Sequence, residues 1–155
     1  MAELLKSEPS TQVSHIMVVN LTGFEIHANW IDFNGAFVNY GTIGYRSRKN
    51  FKTYVGHPWV FFKTGTQDRM NVIGDPVTGL KDVLMPRPYK PNERQTVRLY
   101  VVLRPVYSLK EYCFRVLSYS CHVSKEGALQ LQLPNSIVRE YIDFIEKVML
   151  PRSET

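Results

Sequence analysis

The clearest indication of the fold class is the run Asn29-Trp30-Ile31-Asp32-Phe33-Asn34-Gly35. Asn34-Gly35 follows a segment of apolar and aromatic residues and predicts a β-hairpin. A type I′ turn needs a positive φ at both central residues, which Asn and Gly tolerate best. The run therefore predicts antiparallel β-structure at this point of the chain.

Short segments rich in β-branched or aromatic residues lie on both sides of this hairpin. They are separated by turn residues at Thr22-Gly23, Thr64-Gly65 and Gly74-Asp75-Pro76. Short strands at this spacing are typical of a β-sandwich. The predicted strands are 13–20, 25–33, 51–55, 60–63, 70–73 and 97–103.

The character of the chain changes after Pro105. Ser108 and Glu111 have the spacing of a capping box, so a first helix is predicted from Leu109 to about residue 119. Residues 120–132 form a connector in which Leu and Gln alternate, a pattern that permits a short extended segment. Pro134 suits the first position of a second helix that reaches about residue 150. Its predicted apolar face contains Ile137, Tyr141, Phe144, Ile145, Val148 and Met149.

We therefore expect a mostly β chain with a small α part, an antiparallel β-sandwich followed by a short helical domain. The polar stretch 7–12 contains a Pro and predicts a flexible N-terminal tail at 1–12. The sandwich domain is expected at 13–104 and the helical domain at 105–155. Two helices are too few for an independent core, so they need the sandwich, each other or a partner.

Composition and charge narrow the class of protein. The 155 residues are 44% hydrophobic, enough to bury a core. The net charge of +5 is scattered along the chain. The densest basic cluster, Arg46, Arg48, Lys49 and Lys52, fits a loop that favours an acidic peptide at least as well as nucleic acid. No nucleic-acid partner is therefore expected.

Apolar runs and cysteines indicate the expected compartment. No apolar run approaches the ~18 residues of a membrane span, and the start of the chain lacks the apolar core of a signal peptide. Cys113 and Cys121 are the only cysteines, and they match neither a disulfide framework nor a zinc site. We expect a protein of the cytoplasm and nucleus that does not bind a membrane.

The first helix has an apolar face. Its members recur at positions i, i+3, i+4, i+7 and i+8, namely Leu109, Tyr112, Cys113, Val116 and Leu117. Such a face most often packs on the core of its own chain, where a free Cys behaves as a small hydrophobe. The pattern Ser-Leu-x-x-x-Cys-x-x-x-Leu also resembles the elongin C-binding box of cullin-type ubiquitin ligase substrate receptors.

Three separated stretches resemble the von Hippel–Lindau (VHL) tumour suppressor family, in its order and at its spacing. The first is 29–35 followed by Tyr40-Gly41-Thr42, the second is 51–61 continuing into 64–68, and the third is 105–117. The resemblance covers nearly everything from about Val13 onward. It implies a divergent homologue whose β domain binds a 4-hydroxyproline in hypoxia-inducible factor alpha.

The resemblance implies a hydroxyproline pocket at Trp30, Tyr40, Thr53, His57 and Trp59. The three aromatic rings suit a flat pyrrolidine ring, and Thr53 and His57 suit its 4-hydroxyl. Unmodified proline would leave two buried polar groups unsatisfied at roughly 1–3 kcal/mol each, a preference on the order of 10²- to 10⁴-fold. Taken singly, each residue is also explained by core packing, a turn or β-propensity.

Flanking peptide contacts are expected at Val38, Gly41, Phe51 and Lys52. Lys52 replaces a family His and Gly41 a Pro, and Val38 and Phe51 differ from the vertebrate pattern of the family. Thr53 stands where the family usually has Ser, which keeps the hydroxyl but adds a methyl group. These differences affect the expected flanking peptide contacts more than the expected contact with the ligand hydroxyl.

The resemblance further implies the partners of a ubiquitin ligase. The residues expected to bind elongin C are Ser108, Leu109, Tyr112, Cys113, Val116 and Leu117. The stretch 133–141 resembles a cullin box of the kind that selects cullin-2, at Leu133, Pro134, Ile137 and Tyr141, although a helix that starts with Pro is common. Elongin B and a RING protein would complete the assembly.

The sequence leaves two other interpretations of the function open. The same ligase role with a different, possibly hydroxylation-independent, peptide is the first. An enzyme is the second, and it is not expected, because the chain has no nucleophile elbow, phosphate loop or metal-ligand spacing. No cofactor and no metal are implied.

Overall fold

The computed structural model describes residues 5–74, 79–120 and 124–150. They form two compact units. The β unit comprises the described residues of Met1–Thr64 and Arg69–Pro105, and the helical unit those of Gly65–Asp68 and Val106–Thr155. The sequence-based division assigns 65–68 to the sandwich, whereas the structure groups these residues with the helices.

The β unit contains two sheets. One has four strands in the order β4-β1-β7-β6, with β1 at Val13–Asn20, β4 at Arg48–Tyr54, β6 at Asn71–Ile73 and β7 at Arg98–Leu103. The other has the order β3-β2-β5, with β2 at Ile26–Ile31, β3 at Phe37–Ile43 and β5 at Trp59–Lys63. All pairings are antiparallel except that of β1 with β7, which is parallel. The prediction of a mostly β chain with a small helical part is confirmed.

Strand β3 is the one described strand that the sequence does not predict. It contains Asn39 and Gly41, residue types that are depleted in strands, and most of its side chains are at least partly exposed. Its strand conformation depends on pairing with β2. This contribution from a neighbouring strand is not encoded in the local sequence.

The predicted hairpin between β2 and β3 forms, but the type I′ turn is wrong. Gly35 has a φ of 85°, whereas Asn34 does not have a positive φ. The Asp32 carboxylate accepts hydrogen bonds from the N–H groups of Asn34 (2.8 Å) and Ala36 (2.9 Å). The loop is therefore a three-residue turn stabilised by Asp32, with Gly in the left-handed position.

The core of the β unit lies between the inner faces of the two sheets. Strand side chains alternate in direction, so every second residue of β1 is buried. The largest fully buried side chains of this core are those of Trp59 and Phe61, both on β5. The buried cluster consists of Ile16, Val18, Ile26, Ala28, Ile43, Phe51, Trp59, Phe61, Met70, Val72, Leu84, Tyr100 and Val102.

Residues 7–10 do not form the flexible tail expected at 1–12. Ser7 is only 6% exposed, and its N–H donates to the Asp32 carbonyl at 2.9 Å. The Glu8 N–H donates to the Gly56 carbonyl at 3.1 Å. These residues are held by hydrogen bonds to backbone groups far away in sequence, and such bonds leave no apolar pattern in the local sequence. Residues 1–4 of the expected tail lie outside the described residues.

The helical unit contains α1 (Leu109–Ser120), α2 (Lys125–Leu129) and α3 (Asn135–Phe144), and α3 continues as a π-helical segment, Ile145–Met149. The capping box forms, because the Ser108 hydroxyl accepts from the Glu111 N–H and the Glu111 carboxylate accepts from the Ser108 N–H. Among the described residues, none of the helices has the length and apolar character required of a membrane span.

Helix α2 occupies the connector that the sequence leaves uncertain. The Ser124 hydroxyl accepts a hydrogen bond from the Gly127 N–H at 2.9 Å and caps the first turn. The short extended segment permitted by the alternation of Leu129, Leu131 and Leu133 with Gln does not form a strand; Leu129 ends α2, and 130–133 are irregular. Residues 121–123, with Cys121, lie outside the described residues, as do Asp75 and Pro76 of a predicted turn.

The core of the helical unit confirms the predicted apolar face of the second helix. Tyr141, Phe144 and Ile145 are buried against Phe114 of α1 and Ala128 of α2. Ile137, Val148 and Met149 pack around them. The helices thus bury apolar surface against one another.

A buried ion pair joins α1 to the segment Gly65–Asp68. Two guanidinium nitrogens of Arg115 bind the two carboxylate oxygens of Asp68, one of them at 2.9 Å. The Tyr107 hydroxyl donates to the same carboxylate at 3.1 Å, and the Arg115 guanidinium lies 3.6 Å from the centre of the Tyr107 ring. This ion pair explains why a segment far away in sequence belongs to the helical unit.

Replacing Arg115 by Met is expected to lower the free energy of unfolding by roughly 3–5 kcal/mol, because the Asp68 carboxylate would remain buried without its partner. Urea denaturation followed by circular dichroism measures the change. Lys147→Met is the control, since the Lys147–Asp143 pair is exposed and its loss should leave stability unchanged within error. Equal midpoints for the two variants would contradict a structural role for Arg115.

Candidate functional site

The β unit has a pocket of about 160 Å³ that brings together all five residues of the expected hydroxyproline site. Strands β2, β3, β4 and β5 and the turn after β4 each contribute to it. The volume suits one side chain of a peptide, since sites for drug-sized ligands are about 300–1,000 Å³. The lining residues are Ser10, Trp30, Phe33, Tyr40, Lys52, Thr53, Tyr54, His57 and Trp59.

Local backbone geometry positions the pocket residues. Trp30 and Trp59 are direct partners in the β2–β5 register, so their rings lie at the same end of the sheet. Gly56 has a φ of 78° in the turn before His57, and a Cβ there would come within 3.0 Å of the Glu8 side chain. The turn therefore requires Gly at this position.

The aromatic walls of the pocket are in mutual contact. The Trp30 and His57 rings are stacked, with centroids 5.3 Å apart and an interplanar angle of 20°. Phe33 meets both rings edge-on, and the Tyr40 ring contacts Trp59 at 5.1 Å. Rings that hold one another lose little conformational entropy on binding, so the pocket offers a preorganised apolar surface.

The Thr53 hydroxyl acts only as an acceptor in its contact with Trp59, so that contact does not use the hydroxyl proton. The Trp59 indole N–H donates to the Thr53 hydroxyl oxygen at 2.9 Å, and both residues are at most 3% exposed. A threonine hydroxyl accepts and donates, so this contact leaves its proton available. Thr53 can therefore act as a donor to a ligand.

His57 complements Thr53 as an acceptor. Its Nε2 lies 3.0 Å from the Glu8 carbonyl oxygen and 3.2 Å from the Ser10 hydroxyl. A carbonyl oxygen only accepts, so Nε2 carries a proton, and in the neutral ring Nδ1 then carries none. Burial lowers the pKa of His57 below the usual 6.5, and the bond to the Glu8 carbonyl opposes this only in part. The ring is thus neutral near pH 7.

The expected flanking contacts do not all lie at the pocket. Lys52 lines it, whereas Val38 and Gly41 do not. Phe51 is only 7% exposed, and its ring packs 4.7 Å from that of Trp59. Phe51 shares the buried face of β4 with Thr53, but it supports Trp59 and does not line the pocket, so a direct peptide contact at Phe51 stays a prediction.

Several pocket residues have no distinctive sequence signal. Ser10, Phe33 and Tyr54 line the pocket, and Ser7 and Glu8 lie behind its walls. Phe33 lies within the run that predicts the hairpin, but nothing there marks it as a ligand contact. The Ser10–His57 contact spans 47 residues, a separation at which no spacing rule applies.

The apolar face of α1 is largely exposed. Leu109 is 80% exposed, Tyr112 60% and Val116 47%, and Cys113 is exposed as well. The helical unit instead buries the other side of α1, at Phe114, Arg115 and Ser118. The commoner explanation, that such a face packs on the core of its own chain, is therefore wrong for most of these residues. Leu117 is the exception, since it packs against the helical core.

The residues that resemble a cullin box are split between surface and core. Leu133 and Pro134 are exposed, whereas Ile137 is half-buried. Tyr141 is 1% exposed and is a central residue of the helical core. The expectation that Tyr141 contacts a cullin is wrong for this conformation, because that side chain already fills the core.

Comparison with known proteins agrees with the pocket. Residues 5–78 match the family model of the VHL beta domain, a range that begins at residue 5 and contains every pocket-lining residue. No curated protein sequence matches the chain. VHL proteins are substrate-recognition subunits of E3 ubiquitin ligases, not catalytic subunits, and they work in complexes with elongin and cullin. Residues 5–78 therefore form a VHL beta domain, and this match supports membership of the chain in the VHL family.

Proposed function

We propose that this chain is the substrate-recognition subunit of an elongin B/C–cullin-2–RING ubiquitin ligase, active in cytoplasm and nucleus. Its β unit would bind 4-hydroxyproline in hypoxia-inducible factor alpha and direct ubiquitination and degradation of that factor. The observation that carries the proposal is that the Thr53 hydroxyl, which can donate, and the His57 ring, whose Nδ1 can accept, line one aromatic pocket.

The donor and acceptor match a hydroxyl group. The ligand hydroxyl would accept from Thr53 and donate to the unprotonated nitrogen of His57. Unmodified proline would leave both groups unpaired, at roughly 1–3 kcal/mol each, which favours hydroxyproline by about 10²- to 10⁴-fold. The selectivity follows from the penalty on buried polar groups, and it involves no catalysis.

The position of the pocket suits an extended peptide. Among the described strands, β3 and β4 are each the last strand of a sheet, so each has one side without a neighbour. A peptide can add beside such a strand by backbone hydrogen bonds. Arg48 and Lys52 are exposed on β4 and would favour acidic residues beside the hydroxyproline.

The exposed face of α1 supports the ligase assembly. Leu109, Tyr112, Cys113 and Val116 form an apolar patch of the kind that marks a protein interface. We assign this patch to elongin C, with Ser108 at its edge. Elongin B, cullin-2 and a RING protein complete the ligase.

A second candidate keeps the ligase role and changes the peptide. The exposed amine of Lys52 lines the pocket, so it can pair with an acidic side chain whether or not the neighbouring proline is hydroxylated. Binding that does not depend on hydroxylation would favour this candidate.

The direct test is fluorescence-polarisation binding of paired peptides of the factor, one with proline and one with 4-hydroxyproline. The chain is co-expressed with elongins B and C. We expect a preference of about a hundredfold or more for the hydroxylated peptide, lost in His57→Ala. His27→Ala is the matched control, since His27 contacts Asn39 and does not line the pocket. Equal binding of both peptides to the unmodified chain would refute the hydroxyproline assignment.

Acidification tests the protonation state of His57. Because burial lowers the pKa of His57 from 6.5 and only the neutral ring accepts a proton from the ligand, affinity for the hydroxylated peptide should change little between about pH 8 and 7. Affinity should fall once the pH drops further, through the lowered pKa. Polarisation titrations over this range measure the profile. Tighter binding on acidification would show that the imidazolium, not the neutral ring, binds the peptide.

A further inference from the structure

A short segment behind the pocket, Ser7–Ser10, contacts two of its walls. The Ser7 hydroxyl accepts from the Trp30 indole N–H at 2.7 Å and donates to the Ile31 carbonyl at 2.5 Å. Ser7 is 6% exposed, so these bonds are shielded from water. A single hydroxyl thereby connects the ring of Trp30 to the backbone of the next residue.

The same segment contacts His57. The Glu8 carbonyl accepts from His57 Nε2, and the Glu8 N–H donates to the Gly56 carbonyl in the turn that carries His57. The Ser10 hydroxyl lies beside Nε2 and lines the pocket. Because His57 stacks on Trp30, the two contacts form one continuous support for adjacent rings.

We infer that Ser7–Ser10 is a specificity-determining part of the peptide pocket, in which Ser7 is a positioning residue for Trp30 and the Glu8 carbonyl fixes the tautomer of His57. The inference rests on the proposed function, the recognition of hydroxyproline. It assigns to the start of the described chain a role in selecting the modified ligand.

The physical reason is that the two kinds of ligand contact differ in how well they tolerate small displacements of the pocket side chains. A hydrogen bond to the ligand hydroxyl weakens steeply with angle and distance, so it depends on the placement of the His57 ring. Apolar contact with a pyrrolidine ring is non-directional and survives small shifts of Trp30. Loss of the Ser7 support should therefore reduce the preference for hydroxyproline more than it reduces binding of proline.

Ser7→Ala in the full chain is the test, with the same pair of peptides. We expect the preference for the hydroxylated peptide to fall by about tenfold, the equivalent of one hydrogen bond, while the proline peptide changes by less than about twofold. An unchanged preference in Ser7→Ala would overturn the inference.

Two controls separate positioning from general stability. Thr11→Ala removes an exposed hydroxyl one residue beyond the segment and should change nothing. Thr22→Ala removes a buried hydroxyl of the β unit that bonds to Asn20 and does not line the pocket. It should lower the thermal midpoint and leave the preference intact. A loss of preference in Thr22→Ala equal to that in Ser7→Ala would reduce the role of Ser7 to stability alone.

A spectroscopic arm needs neither ligand nor mutation. In the unmodified chain, the Trp30 indole N–H should exchange slowly with solvent, and the ring nitrogens of His57 should show protonation at Nε2 in ¹⁵N NMR. Rapid exchange at Trp30, or protonation at Nδ1, would refute the positioning role even if the peptides discriminate. Should the peptides fail to discriminate while both signatures are present, the hydroxyproline proposal fails and the support itself stands.

Discussion

Leu109→Asp is expected to abolish co-purification of the chain with elongins B and C. Burial of a leucine side chain contributes about 1.5–3 kcal/mol, and a carboxylate placed in an apolar interface adds a desolvation cost, so affinity should fall at least about 100-fold. The fold should be unaffected, since Leu109 is 80% exposed. Pull-down yield reports the assembly, and the thermal midpoint of the free chain reports the fold.

Leu129→Asp is the matched control for this prediction. Leu129 is 69% exposed and belongs to α2, outside the apolar face of α1. The same change of residue type at this position should leave the yield of the elongin complex unchanged. Wild-type yield for Leu109→Asp would show that the face of α1 does not bind elongin C. Cys113→Phe tests the same face by steric overlap and should likewise prevent assembly.

Thr53→Val is expected to remove most of the preference for hydroxyproline. Valine keeps the shape of threonine but cannot donate to the ligand hydroxyl, so the hydroxylated peptide should bind roughly 10- to 100-fold more weakly. The proline peptide should bind as before. The Trp59 indole N–H also loses its acceptor, which should lower the free energy of unfolding by about 1–3 kcal/mol. Polarisation binding and urea denaturation measure the two effects separately.

Thr53→Ser is the control for Thr53→Val. Serine keeps the hydroxyl and its bond to Trp59 and removes only the methyl group, so the preference for hydroxyproline should persist. A Thr53→Val variant that still discriminates between the peptides would exclude Thr53 as the donor. In that case His57, Ser10 or the backbone would have to supply the selectivity.

Much of the fold could be predicted because it depends on local patterns. A run rich in β-branched residues predicts β1 with its observed bounds, and the spacing of Ser108 and Glu111 predicts the start of α1. Strand β3 and helix α2 were not predicted. In β3, Asn39 and Gly41 interrupt residues that favour strands, and pairing with β2 completes the strand. In α2, the Ser124 cap starts a short helix that no apolar periodicity predicts.

The candidate site was predictable only in part, for a related reason. The resemblance to the VHL family implied the five pocket residues, and the pocket does bring them together. Phe51 shares the buried face of β4 with Thr53, but its ring packs against Trp59 and does not line the pocket. Tyr141 looked like part of a docking motif, but the helical core buries it. A motif gives residue types and order, whereas burial depends on which faces of the strands and helices meet.

By itself, the sequence determined the β character of the first part of the chain, the helical character of the second, and the residue types of the pocket and of the α1 face. The strands, the helices and the α1 face follow from periodicity, capping and turn chemistry, which act within a few residues, whereas the pocket residues are implied by the resemblance to the VHL family. Only the tertiary structure decided that Ser7 and Glu8 support Trp30 and His57, that Arg115 pairs with Asp68, and that the α1 face is exposed. Those contacts join positions tens of residues apart, and their strength comes from the exclusion of water, which exists only once the chain has folded.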